Sequence, residues 1–106
     1  MPPEVGEVLV MIHHQARDEA ELAAVREAYH VVSRRLADVP GMLANELLQS
    51  ALDPSALTVV SRWADLAAFQ SWEEGAGHRA DTAPLRPYRD TRLSAPFGIY
   101  RVDAAY

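Results

Sequence analysis

Six side chains of this chain are best suited to chemistry: the adjacent His13 and His14, then Trp63, Trp72, His78 and Arg86. An imidazole with an ordinary pKa near 6.5 can take a proton at neutral pH. An indole N–H or a guanidinium donates to an oxyanion. Phe69, Trp72 and Trp63 together offer flat rings for an aromatic ligand. Asn45 is a polar residue in an otherwise apolar segment, on a face with Leu43 and Leu47, and can hydrogen-bond a ligand. His13 and His14 are neighbours in a β-type run, so they point to opposite faces and cannot share a metal. His30 falls on a polar helix face. No metal site is expected.

Other chemistries lack their residues. The 106-residue chain has no cysteine, which removes disulfides, thiolate metal sites and a cysteine nucleophile. Its glycines form no G-x-G-x-x-G phosphate loop, and no G-x-S-x-G elbow is present. Flavin and nicotinamide are therefore not expected. The acids sit mostly at helix caps and surfaces, so no paired-carboxylate site stands out. A net charge of −5 argues against nucleic acid and against an anionic membrane surface. The segment M-P-P-E-V-G-E has neither the basic region nor the apolar run of a signal peptide. No stretch approaches the roughly 20 apolar residues of a membrane span. The expectation is a cytoplasmic protein.

Residues 1–106 suit one domain. Glu7–His14, E-V-L-V-M-I-H-H, is a nearly continuous apolar run and predicts a strand. Asp18 with Glu21 resembles a capping box for a helix to about Ala37. Leu22, Val25, Tyr29, Val32 and Leu36 form its apolar stripe. Pro40-Gly41 stops it. Met42–Gln49 and Leu57–Trp63 predict an antiparallel hairpin around Asp53-Pro54-Ser55. Asp65 caps a short helix carrying Phe69 and Trp72. Gly75 and Gly77 end it, and His78–Leu85 is another helical turn or two, ended by Pro84 and Pro87. Phe97–Val102 predicts a last strand. The order β-α-β-β-α-(α)-β is that of a ferredoxin-like α+β sandwich. Helices on one sheet face leave the other face apolar. A second copy related by two-fold symmetry would cover it, so a homodimer is expected.

P-G-M-L at Pro40–Leu43, R-W-A-D-L-A-A-F at Arg62–Phe69 and the helix ending at Trp72 resemble the antibiotic biosynthesis monooxygenase family, of the dimeric α+β barrel fold. The resemblance runs from Glu7 to Val102. It implies a cleft between sheet and helices that takes a small aromatic substrate and O₂. It also implies cofactor-independent oxygenation of an anthrone, phenol or hydroquinone, as in aromatic polyketide and antibiotic biosynthesis, with no cofactor. Haem degradation, non-oxidative cyclisation or isomerisation, and a non-catalytic ligand-binding dimer are its alternatives. Trp63 stands where the oxygenase branch has a functional tryptophan, and Arg86 where it has an arginine. Val59 and Leu47 replace that branch's asparagine and tyrosine. Trp72 matches the tryptophan of the haem branch, whose first-strand asparagine is Met11 here and whose axial histidine would be His78. The resemblance places Leu9, Met11 and His13 on the cleft face. It thus implies Trp63, His13, His78 and Arg86 as catalytic groups, with Met11, Asn45, Val59, Phe69 and Trp72 contacting substrate.

Overall fold

The computed structural model describes residues 3–106. Four strands, β1 (Val8–Gln15), β2 (Met42–Gln49), β3 (Ala56–Trp63) and β4 (Phe97–Arg101), form one sheet in the order β2-β3-β1-β4. Every pairing is antiparallel. Helix α1 (Glu19–Arg35) crosses between β1 and β2, and α2 (Leu66–Glu73) follows β3. A short helix α3 (His78–Thr82) runs into a 3₁₀ turn at Ala83–Tyr88. This is the expected ferredoxin-like α+β arrangement. No helix among the described residues is long and apolar enough to cross a membrane.

Local chemistry sets the helix ends. Asp18 accepts from the Glu21 backbone N–H at 2.8 Å, and Asp65 from that of Ala68 at 2.8 Å. Each satisfies one of the donors that a helix start leaves free. The capping box at Asp18 is shifted: Glu21 reaches back to the Arg17 backbone N–H and grips the Arg17 guanidinium. Burial along α1 falls on Leu22, Val25, Ala28, Val32 and Leu36. Tyr29 is half-buried instead, and its hydroxyl donates to the Asn45 carbonyl at 3.1 Å, fastening α1 to β2. His30 is exposed, as its helix position implied.

The prolines after α3 do not end the helical run as expected. Pro84 lies in the first positions of the 3₁₀ turn, where its missing N–H costs nothing, and Pro87 sits inside it.

The sheet has two unlike faces. Val8, Val10, Ile12 and His14 of β1 and Leu57, Val59, Ser61 and Trp63 of β3 point toward the helices, in register pairs. Two buried clusters result, one beneath α1 and one of Val8, Val10, Trp63 and Phe69. Each side chain fully buried there stabilises by about 1.5–3 kcal/mol. The opposite face carries Leu9, Met11, His13, Thr58 and Val60, with Leu48 and Tyr100 exposed at 48% and 59%.

Gly41 fixes how α2 lies on this sheet. Its φ of +83° suits glycine, and a Cβ there would strike the Ala68 Cβ of α2. We expect Gly41→Ala to lower stability by about 1 kcal/mol or more. An unchanged urea midpoint would show that the Gly41–Ala68 approach does not constrain the fold.

Candidate active site

A cavity of about 180 Å³ lies between the helix-facing side of the sheet and the helices. An engineered hollow of about 150 Å³ in another protein holds benzene, so this one admits an aromatic ring. Its floor is Val10, Ile12, Val59, Ser61 and Trp63. Met42, Phe69 and Trp72 wall one side, and Tyr29, Val32 and Leu36 of α1 another. Phe97 and Ile99 of β4 line it while 52% and 41% exposed, so it opens on the β4 side.

Trp63 ends β3 at 0% exposure. Trp72 stacks on it, with centroids 5.4 Å apart and planes at 29°. Phe69 meets it edge-on at 5.5 Å. Such pairs each add about 0.5–1.5 kcal/mol beyond area burial. The Trp63 N–H is already committed, since it donates to the Ser61 hydroxyl at 2.9 Å. Residues 61 and 63 share a face, which makes that bond possible. The Trp72 N–H is different: it is buried and has no partner. An unpaired buried donor costs about 1–3 kcal/mol, which an acceptor on a ligand would relieve. The indole with a donor to offer is thus Trp72, not Trp63.

Three residues expected on the cleft face need relocating: Leu9, Met11 and His13. His13 and Met11 lie on the sheet face away from the cavity, and His13 Nδ1 is 2.9 Å from the Thr58 hydroxyl across the strand pair. His14 lines the cavity instead. The face assignment carried over with the resemblance was off by one residue, and in a strand that exchanges the faces. Asn45 does line the cavity, but its side-chain oxygen accepts from Ser33 at 3.2 Å. A bulge between Met42 and Ala44 turns Leu43 out of the face with Asn45 and Leu47, and leaves it exposed. Val59, Phe69, Trp72, Trp63, His78 and Arg86 all line the cavity.

His14 is 2% exposed, and its Nδ1 has no hydrogen-bond partner. Burial pushes its pKa down to about 4, against the nearby Ile12 carbonyl, which favours the charged form. Arg89 and His13 push the same way as burial, and Asp90 opposes them. His78 packs edge-on against Trp72, centroids 4.6 Å apart. Its pKa is lowered too, by burial first and then by the Arg86 charge. Both cavity imidazoles are therefore held toward the neutral form, able to accept a proton. Arg86 donates to the Thr82 hydroxyl at 3.1 Å.

Residues that sequence reasoning missed lie on irregular segments. Arg89 pairs with His14 as an isolated β-bridge, and the Asp90 N–H donates to the His13 carbonyl at 3.0 Å. No periodicity marks a loop that docks on a strand end. Among the described residues no group of three or more histidine, aspartate and glutamate side chains could hold a metal.

Comparison with known proteins fits this geometry. The antibiotic biosynthesis monooxygenase family model matches residues 7–81. The chain belongs to that family. SchA of Streptomyces halstedii is 31% identical over 97 residues, which is 92% of this chain. The chain spans 25% of the length of that curated relative. Among solved structures, SnoaB of Streptomyces nogalater, a cofactor-independent oxygenase, superposes with a TM-score of 0.73 at 16% identity, over 93% of this chain and 95% of SnoaB. A conserved protein of Methanosarcina mazei Go1 gives 0.74 at 14% identity, over 92% and 93% of the two chains. These likenesses establish the shared fold. Arg86 and Arg89 lie beyond the residues matched by the family model.

The His14 shift sets a pH dependence. Unfolded, His14 protonates near pH 6.5; folded, it resists to about 4. Between those values the unfolded chain holds a proton that the folded chain lacks. Stability is therefore lost as pH falls from 6.5 to 4 and is complete above that window, by about 3 kcal/mol at the limit. His78 contributes in the same direction. Urea titrations at pH 4.5 and 7.5 should show His14→Gln flattening this slope. A slope equal to that of the unaltered protein would rule out a buried neutral His14 as its source.

Proposed function

We propose that this protein is a cofactor-independent monooxygenase acting on an electron-rich aromatic, such as an anthrone, phenol or hydroquinone, with O₂. The observation that carries the reading is the apolar hollow beside the Trp63–Phe69–Trp72 stack, with His78 on its lining and a buried Trp72 N–H that has no partner within the protein. The family membership and the fold shared with SnoaB support it.

The chemistry belongs mainly to the substrate. Loss of a ring C–H or O–H proton gives an electron-rich anion. One electron passes to O₂, the two radicals combine to a peroxide anion, and the proton taken earlier returns to it to give a hydroperoxide. At a methylene carbon, loss of water then leaves a carbonyl, with the second oxygen atom leaving as water. The protein's tasks are to flatten and hold the rings, exclude water, take the proton and steady the oxyanion. Trp72 and Phe97, both partly exposed on the cavity lining, hold the rings, with Trp63 and Phe69 packed behind Trp72. Trp72 donates its N–H to the developing oxyanion.

His78 is the better proton acceptor of the two cavity imidazoles. A phenolic proton near pKa 10 moving to His14 at about 4 would cost about 8 kcal/mol before any help from neighbours. His78 is half-buried rather than enclosed, so its basicity is less suppressed. Two copies of the chain would pair through the open sheet face, hiding Met11, Leu48 and Tyr100.

Oxygen uptake with a panel of anthrones and hydroquinones tests the activity. The protein should exceed the protein-free blank. Trp72→Phe, which keeps a ring but removes the donor, should lower kcat by about 10². Trp63→Phe should cost stability more than rate, because its N–H serves Ser61. Uptake equal to the blank on every compound would end the oxygenase reading, and the reverse ranking of the two variants would end the role given to Trp72. Sedimentation equilibrium should give twice the 11.7 kDa chain mass; a monomer at every concentration would end the pairing.

A further inference from the structure

The cavity carries more positive charge than its surroundings explain. The chain has a net charge of −5, yet the charged side chains lining the hollow are Arg86, Arg89 and Glu73. Among the described residues neither arginine has a carboxylate within salt-bridge reach, while Arg17, Arg62 and Arg92 each have one. Both arginines are half-buried. The Arg89 Nε is buried with no hydrogen-bond partner.

The two cations are also held near each other. Arg86 lies in the 3₁₀ turn and Arg89 caps it, with the Arg89 N–H donating to the Arg86 carbonyl at 3.2 Å. Residues three apart in such a turn lie over one another. The bridge to His14 and the Asp90 bond to His13 fasten this segment to the end of β1, so the pair is anchored rather than loose. Their field reaches His78, whose neutral form both arginines favour. Two half-buried cations lining one cavity, neither with a carboxylate in salt-bridge reach, call for an anion.

We propose that the cavity takes a fused-ring aromatic acid, its ionised carboxylate or phenolate seated against Arg86 and Arg89 and its rings against Trp72 and Phe97. This rests on the hollow being a ligand site, as proposed above, and goes further by fixing the ligand's charge and its direction in the hollow. A guanidinium matches an oxyanion with two parallel donors, and such charge-assisted bonds are roughly twice as strong as neutral ones.

Equilibrium binding tests this without turnover. Anthraquinone-2-carboxylate and its neutral carboxamide are titrated at pH 8, with quenching of the emission from Trp63 and Trp72 as readout. The acid should bind at least tenfold more tightly than the amide, and raising salt should erode that preference. Arg86→Gln and Arg89→Gln should each reduce it severalfold, and together abolish it, with the amide's affinity unchanged within twofold. Arg89→Lys, which keeps the charge, should retain most of it and serves if Arg89→Gln does not fold. Equal affinities of acid and amide would overturn the proposal while leaving the ligand site intact, as would a preference that survives the double substitution. Failure of both compounds to bind would overturn it together with the ligand site.

Discussion

The burial of Trp63 is the constraint on which the rest of the structure depends. It is the largest fully buried side chain, and it sits where β3 hands over to α2. A buried indole needs a partner for its N–H, and Ser61, two residues back on the same face, supplies one. Trp72 and Phe69 then close over its ring. That stack fixes where α2 lies, and the gap between α2, α1 and the sheet becomes the cavity. A structural tryptophan thereby sets the position of a second tryptophan whose N–H is left without a partner.

The electrostatics follow the same division. The enclosed end of the hollow is apolar and the end near β1's last residues is polar. His14 is kept neutral by burial, so it adds no charge to the arginines beside it. Asp90, close by, is paired locally instead: it is buried against Arg92, whose hydrogen bonds hold its carboxyl below the usual range. The cavity's cations are left to whatever enters.

Much of the fold was legible because its signals are local. Asp18 and Asp65 announce helix starts, Gly41 a stop, and Asp53-Pro54-Ser55 between two apolar runs marks the hairpin. The stack of Trp63, Phe69 and Trp72 could be anticipated from a strand-end indole followed by an aromatic helix. What failed depended on parity and on distance along the chain. The face of β1 that meets the helices is set by its pairing with β3, Val8 opposite Trp63. The nearly continuous apolar run Val8–Ile12 does not encode that choice, so His13 and His14 were exchanged. The bulge at Met42/Ala44 likewise freed Leu43 from the alternation. Arg89 reaches the site through a loop bridged to a strand some 75 residues earlier (89 − 14), which no window of sequence reveals.

The central claim is that the two indoles have different tasks, Trp63 locked to Ser61 and Trp72 free to meet a ligand. The most direct test is the ¹H–¹⁵N spectrum of the two indole groups, assigned with Trp63→Phe and Trp72→Phe, during titration with anthraquinone-2-carboxylate. The account predicts that the Trp72 indole proton shifts the more, and downfield, while that of Trp63 stays near its ligand-free position. A dominant shift at Trp63, or no shift at either indole, would contradict it.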